Sequence, residues 1–230
     1  MSDMSHGETK TNLLKAALPH VAFDGWTDTT FDAAVADTDV NPTVARAVCP
    51  RGAVDLAVAF HKAGDLEMRQ AYRTTDTSQM KIREKVTLAV RLRLEAAQDK
   101  EAVRRGTTLF ALPQYGADGA KLIWGTSDAI WTVLGDPSDD INWYTKRATL
   151  SAVYGSVVLI WLGDDSLDHQ ATWDFLDRRI DNVMQIEKAK AQVRGNKALS
   201  TLLAGPNWAL SFVKKPPTVP KVDLPGSWNR

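Results

Sequence analysis

The chain has 230 residues, of which 44% are hydrophobic and 24% are charged, and its 28 basic residues balance 28 acidic ones. This composition is typical of a soluble protein with a sizeable buried core, in one large domain or two small ones. The single cysteine, Cys49, excludes an internal disulfide and a thiolate metal site. The longest apolar run, Ala148 to Leu162, is shorter than the roughly 18–20 residues that a bilayer span needs, and it predicts a buried helix.

Helical signals dominate the chain from its start, and no alternating strand pattern persists. The sequence therefore predicts an all-α fold. Capping residues, glycines and prolines mark where each helix begins and ends. The predicted helices span residues 10–20, 30–36, 42–48, 51–63, 78–95, 100–112, 122–134, 141–162 and 169–190.

The short helices before residue 63 predict a helix-turn-helix trio. A DNA-recognition helix normally carries Lys or Arg to meet phosphates and bases. The candidate helix here, NPTVARAVCP, offers Arg46 alone, and residues 21–60 contain six aspartates and two arginines, a net charge of −4. Such a charge repels a polyanion, so we expect no nucleic-acid partner. A ligand-responsive transcription regulator is the alternative function that this trio leaves open.

Catalytic and cofactor motifs do not emerge from the sequence. It has neither G-x-G-x-x-G nor a phosphate-binding P-loop, and its four histidines lack the spacing of a zinc or di-iron site. The pairs Asp139–Asp140 and Asp164–Asp165 suit helix starts better than acid/base catalysis. We therefore expect a protein that is not an enzyme and has no metal or other cofactor.

The predicted helix 141–162 has one face of large side chains. At 100° per residue, Leu150, Tyr154, Val157 and Trp161 fall within about 40° of Trp143. A face of this kind lines either a core or a pocket. The opposite side carries Ala148, Ala152, Gly155 and Ser156, which suit close approach by another helix.

Trp143 and Tyr144 are adjacent, so their side chains point in different directions and cannot both be core residues of one face. At least one of them is expected to be partly exposed, beside Lys146 and Arg147. Exposed aromatic residues next to basic ones are typical of partner-binding hot spots.

The motifs DDINWYTKRATLSAVY, TWDFLDRRIDN and GWTDTTFDAAV closely resemble the lipid-binding accessory family of ubiquinone biosynthesis. The resemblance extends over roughly residues 10–190. It implies a homodimer with a fold similar to TetR-type regulators that no longer recognises DNA. It also implies a hydrophobic pocket for a lipid or isoprenoid quinone. It also implies that the protein presents quinone intermediates to the demethoxyubiquinone hydroxylase at a membrane surface.

The domain organisation expected from these patterns has five parts. A disordered N-terminus, 1–9, precedes the helix-turn-helix-like domain, 10–63, and a helical domain for lipid binding and dimerisation, 64–190. An amphipathic membrane-binding helix, 191–215, and a Pro-rich tail, 216–230, follow.

Site residues are assigned partly from motif and partly from helical phase. The family motif implies that Trp143 and Tyr144 meet the hydroxylase, with Ile130 and Trp131 adjoining them. Helical phase gives the candidates for lining the lipid pocket, any of which could be plain core: Trp124, Leu150, Tyr154, Val157, Val158 and Trp161.

The C-terminal segment is basic and amphipathic. Residues 187–215 contain six basic residues and one acidic residue, and apolar side chains alternate with them in helical fashion. Such segments lie in membrane interfaces, although the same helix could instead close over the pocket as a lid. The predicted membrane-binding residues are Leu199, Leu202, Leu203, Trp208, Leu210, Phe212 and Val213.

The N-terminal residues MSDMSHGETKTN contain neither an apolar run nor clustered arginines, so neither a secretory signal nor a mitochondrial transit peptide is visible. The location expected from this composition is the bacterial cytoplasm, peripheral on the inner membrane.

Overall fold

The computed structural model describes residues 6–97, 99–195 and 213–216. Within these residues the chain is helical and contains no strand, which confirms the all-α prediction. A short 3₁₀ turn, Leu167–His169, precedes the last helix. The helices are α1 His6–Asp24, α2 Asp28–Asp37, α3 Pro42–Val48, α4 Ala53–Thr74, α5 Ile82–Glu95, α6 Lys100–Phe110, α7 Gly116–Val133, α8 Ile141–Leu162 and α9 Gln170–Gly195.

Side-chain caps determine where several helices begin. Asn41 accepts a hydrogen bond from the backbone N–H of Thr43 at 2.9 Å, and Pro42 occupies the first helical position of α3. Asp140 accepts from the backbone N–H of Asn142 at 2.9 Å at the start of α8. Caps of this kind contribute about 1 kcal/mol each. Because they are visible in the sequence, the predicted starts at residues 42 and 141 coincide with the observed ones.

Two helices extend beyond their predicted limits, because a glycine that reads as a helix breaker serves close packing instead. Gly64 lies inside α4, where a β-carbon would come within 2.6 Å of the Arg93 guanidinium. Gly119 lies inside α7, where a β-carbon would come within 2.9 Å of the Phe110 side chain. The predicted domain boundary at 63/64 therefore falls within a continuous helix.

The N-terminal helices α1, α2 and α3 pack around a core that includes Leu13, Phe31 and Leu56. Helix α1 begins at His6 rather than at the predicted residue 10, since Thr9 is already buried. A second core, containing Met68 and Val157, joins α4 and α5 to α7, α8 and α9. Helix α4 takes part in both cores, and it fixes the trio relative to the larger helical part.

No helix in the described ranges is both long enough and apolar enough to cross a bilayer. Residues 191–195, predicted to begin the membrane-binding helix, continue α9 to Gly195 because Ala, Gln and Arg favour helix. Most of that predicted segment and nearly all of the Pro-rich tail lie outside the described residues.

Candidate functional site

A cavity of about 810 Å³ lies where the N-terminal trio meets the larger helical part. Its volume is within the range of small-molecule sites in proteins. Side chains from α1, α4, α6, α7 and α8 form its wall, and most of that wall is apolar. Exposed Thr11, Lys15 and Glu67 are the polar residues on the solvent side.

The cavity wall follows from helical periodicity in α4 and α6. Ala57, Phe60, His61 and Gly64 recur at the spacing of one helix face, and so do Val103, Gly106, Thr107 and Phe110. Both faces mix small residues with large ones, and the small residues leave space between the helices. Trp26 spans the gap between them: its ring lies 5.7 Å from Phe60, and its Nε1 donates to the Ala102 carbonyl at 3.1 Å.

A buried polar network forms one part of the wall. Arg93 donates from Nε to Asp65 Oδ1 at 2.7 Å and from Nη2 to the His61 carbonyl at 2.9 Å. The Thr126 hydroxyl donates to the same Asp65 oxygen at 2.8 Å. The His61 ring meets Thr126 through Nε2, at 2.8 Å. Burial, followed by the nearby Arg93 charge, lowers the pKa of His61 to about 4, so the imidazole is neutral at physiological pH.

The predicted pocket residues divide into three groups. Tyr154, Val158 and Trp161 line the cavity. Leu150 and Val157 are buried in the larger core, away from the cavity wall. The lipid-binding role of all these residues stays a prediction. Trp124 lies elsewhere, against Trp143 and Tyr144.

Trp124, Trp143 and Tyr144 form an aromatic cluster at the start of α8. Trp143 and Tyr144 meet edge to face with centroids 4.8 Å apart, and Trp124 on α7 lies 6.0 and 6.5 Å from them. All three side chains are half-buried. The Arg147 guanidinium lies 4.1 Å from the centroid of the Trp143 ring, a cation–π contact. The adjacent aromatics thus belong to a surface that two helices build together.

A polar knot around Asp136 holds this surface in place. The Asp136 carboxylate, only 1% exposed, accepts from Lys146 Nζ at 2.7 Å, from the Ser138 hydroxyl at 2.9 Å and from Arg147 Nη1 at 3.1 Å. Burial raises the pKa of Asp136, but these three hydrogen bonds outweigh it and leave the pKa below its usual value. Arg147 also donates to the Trp143 carbonyl at 3.1 Å, which fixes the backbone beneath the ring.

Two further predicted partner residues differ in their placement. Trp131 is half-buried, and its Nε1 donates to the Lys146 carbonyl at 3.2 Å, so it adjoins the knot. Ile130 is 0% exposed and belongs to the larger core. Its position on α7 turns it inward, and it is therefore not part of the surface.

The described C-terminal segment, 213–216, lies beside the aromatic cluster. The Tyr144 hydroxyl donates to the Lys214 carbonyl at 3.2 Å, and the Lys215 backbone N–H donates to the Asp139 carbonyl at 2.9 Å. Val213, predicted to bind membrane, is half-buried here. The other predicted membrane-binding residues lie outside the described residues: Leu199, Leu202, Leu203, Trp208, Leu210 and Phe212.

Residues 116–187 match the model of the COQ9 family. This range covers α7, α8 and most of α9, and it contains the aromatic cluster, the Asp136 knot and one wall of the cavity. The predicted family resemblance is confirmed. The match to COQ9 therefore includes the whole aromatic cluster and part of the cavity wall.

Curated COQ9 proteins are similar over a wider range. The chain is 29% identical to the probable ubiquinone biosynthesis protein coq9 of Dictyostelium discoideum, over 81% of this chain and 63% of that protein. It is 28% identical to COQ9 of Drosophila melanogaster, over 81% of this chain and 58% of that protein. It is 37% identical to COQ9 of Rattus norvegicus, over 39% of this chain and 29% of that protein. The chain thus spans less than two thirds of the length of these relatives.

A solved structure is similar in fold. The TetR transcriptional regulator from Nitrosomonas europaea superposes with a TM-score of 0.61 at 15% identity, over 75% of this chain and 95% of that one. The TetR-like fold predicted from the sequence is confirmed. At this identity the likeness concerns the fold alone.

The predicted location is wrong. The curated COQ9 relatives are all named as mitochondrial proteins, which contradicts a bacterial cytoplasmic protein on the inner membrane. The expectation was based on the composition of the first twelve residues. That composition does not distinguish one compartment from another.

Proposed function

We propose that this protein takes part in ubiquinone biosynthesis as a lipid-binding accessory protein that presents polyprenyl quinone intermediates to a membrane-associated hydroxylase. The observation that carries the proposal is the apolar cavity of about 810 Å³, in a fold that also carries a surface aromatic cluster. The names of the similar COQ9 proteins support the pathway.

The cavity suits a ligand with a long apolar part. Trp26, Phe60, Phe110, Ile123 and Trp161 bring broad apolar surfaces to its wall. Transfer of each methylene from water to such a wall contributes roughly 0.8 kcal/mol. The binding free energy of a polyprenyl tail becomes more favourable with every isoprene unit that enters the cavity, whereas a small polar metabolite has little apolar surface to bury.

The aromatic cluster suits a protein partner. Trp, Tyr and Arg are the residue types that dominate binding hot spots. Half-buried Trp143 and Tyr144 supply two of these types, and Arg147, itself only 3% exposed, stacks on the Trp143 ring as part of a framework that the Asp136 knot makes rigid. A preformed surface loses little conformational entropy when a partner binds. The proposed partner is the demethoxyubiquinone hydroxylase, which performs the chemistry while this protein supplies its substrate without catalysing a reaction.

A second copy of the chain is the proposed partner for the outer face of α8. Ala148 and Ala152 are exposed there, and further along the helix Leu159 is 62% exposed. Small residues allow another helix to approach closely, and burial of an exposed leucine side chain stabilises an interface. Ala148 and Ala152 lie outside the cavity lining, whereas Leu159 belongs to it, so the proposed dimer face adjoins the cavity.

We propose that the trio region helps to form the cavity wall and does not bind DNA. Arg46, the cation of the candidate recognition helix, lies 3.2 Å from Asp28 and 3.7 Å from Asp32 and stacks over Phe31 at 4.5 Å. Its charge is thus neutralised by the acidic surface around it. Helices α1 and α4 of the trio region meanwhile provide Leu14, Leu18 and Phe60 to the cavity wall.

We expect no salt-sensitive binding of duplex DNA at 50–200 mM salt. A protein that neutralises several phosphates loses affinity steeply over this range, but the surface near Arg46 is acidic. Fluorescence anisotropy with random-sequence duplexes measures this. Tight binding that weakens with salt would favour the regulator instead.

Native mass spectrometry of the purified protein, followed by lipid extraction, tests the main proposal. We expect a polyprenyl quinone or its precursor to remain bound, and a complex of twice the chain mass. A Val158→Trp variant, which adds bulk at the cavity wall, should lose the ligand while keeping its helical circular dichroism. The matched control is Ile160→Trp, on an exposed position of the same helix that does not line the cavity. Wild-type protein that carries no lipid and takes none up from liposomes contradicts the proposal.

A further inference from the structure

A second cavity, of about 330 Å³, shares part of its wall with the main cavity. Leu94, Ala97 and Trp161 border both spaces, so these side chains form the partition between them. The volume of the second cavity lies at the lower end of the range for small-molecule sites. It therefore has room for one ring but not for a long isoprenoid tail.

Lys100 provides hydrogen-bond donors at the second cavity. Its Nζ lies 5.4 Å from the centroid of the Trp161 ring and donates to the Asp164 carbonyl at 2.9 Å. An ammonium group carries three hydrogens, so donors remain for a ligand. The carboxylate on the same wall, that of Glu95, is engaged by Arg91 at 2.7 Å.

His169 forms a strained part of the same wall. Asp168 and His169 have φ angles of 51° and 57°, in the left-handed region that residues other than glycine seldom adopt. The His169 ring meets Trp161 at a centroid distance of 6.0 Å, and its Nδ1 is buried without a hydrogen-bond partner among the described residues. Backbone strain and unpaired polar atoms are concentrated at functional sites in proteins. Both features therefore indicate a binding role for this wall.

We propose that the second cavity holds the polar ring of a prenylated quinone whose isoprenoid tail lies in the main cavity. A flat ring packs favourably against aromatic side chains, and Trp161, His169 and Trp173 supply them here. A quinone carbonyl accepts a hydrogen bond from Lys100, and the neutral ring needs no counter-charge. The inference rests on the proposed function, since it assigns the place of the ligand's polar end.

Two matched probes test the inference: a farnesyl trimethylbenzoquinone, and the farnesyl trimethylbenzene that lacks its carbonyl oxygens. All ring positions of the quinone are substituted, so protein nucleophiles do not add to it. The hydrocarbon has the same tail and nearly the same shape, but it accepts no hydrogen bond from Lys100. Equilibrium transfer from liposomes to the full chain, followed by extraction, measures the affinity for each probe.

Lys100→Met removes the donor and keeps an unbranched side chain. We expect it to weaken quinone binding roughly threefold to tenfold, the value of one net hydrogen bond, and to leave hydrocarbon binding unchanged. Lys15→Met is the matched control, because Lys15 lies on the solvent side of the main cavity. It should change neither affinity, and unchanged hydrocarbon binding shows that the main cavity of a variant is intact.

Three results would overturn the inference. Lys100→Met could bind the quinone as tightly as the wild type does. It could weaken both probes equally, which would attribute the effect to packing and not to the carbonyl groups. Lys15→Met could instead be the variant that loses quinone binding, which would place the ring at the solvent side of the main cavity.

The two proposals fail in distinguishable ways. If the wild type takes up neither probe, the main cavity is not a lipid site, and both the proposed function and this inference fall. If it takes up both probes and Lys100→Met changes neither affinity, lipid binding stands and the place assigned to the ring falls alone.

Discussion

Asp65→Ala is expected to lower the free energy of unfolding by about 3–5 kcal/mol. Asp65 is 8% exposed, and it accepts from Arg93, which is 4% exposed, at 2.7 Å. Among the described residues, its removal leaves the buried guanidinium with a hydrogen bond to the His61 carbonyl and a cation–π contact with Tyr154 at 5.9 Å, but without a counter-charge in contact with it. An unpaired charge in such surroundings costs far more than the loss of an exposed ion pair. Urea denaturation followed by circular dichroism measures the difference.

Glu95→Ala is the matched control, because it also removes a carboxylate that pairs with an arginine, Arg91, at 2.7 Å. Both members of that pair are about half exposed, 49% and 47%, so we expect a loss below about 1 kcal/mol. The double variant Asp65→Leu/Arg93→Met should recover much of the stability that Asp65→Ala loses, since no buried charge remains. A loss in Asp65→Ala as small as that in Glu95→Ala would show that the buried pair does not stabilise the fold.

The fold was predictable where the local sequence determines it. Helices α3 and α8 have the bounds predicted for them, because Asn41, Pro42 and Asp140 act within their own helix turns. The extents of α4 and α7 were not predictable from local sequence. Gly64 and Gly119 resemble breakers, and only the approach of Arg93 and Phe110 from other helices explains them.

The candidate site was predictable only in part, for a related reason. The prediction that Trp143 or Tyr144 is partly exposed followed from their adjacency on one helix. Trp124 was assigned to the pocket, since helical phase within α7 does not reveal how α7 is rotated against α8. The patterns in α4 and α6 were visible as well, but periodicity alone does not distinguish a core face from a cavity wall.

Trp143→Ala is expected to abolish co-purification of the hydroxylase while leaving the protein folded. The change removes the central ring of the aromatic cluster and leaves the Arg147 guanidinium without its stacking partner. Truncation of a hot-spot aromatic costs 2 kcal/mol or more of binding, roughly a thirtyfold loss of affinity. Affinity capture on the immobilised protein, with thermal unfolding of each variant, measures both effects.

Trp173→Ala provides the matched control for that experiment. Trp173 is also half-buried, has an arginine, Arg91, 4.8 Å from its ring centroid, and donates from Nε1 to the Asp168 carbonyl at 2.8 Å. It lies at the start of α9, away from the aromatic cluster. We expect this variant to lose comparable stability and to retain the hydroxylase. Equal loss of capture in both variants would attribute the effect to destabilisation, and unchanged capture in Trp143→Ala would remove the aromatic cluster from the interface.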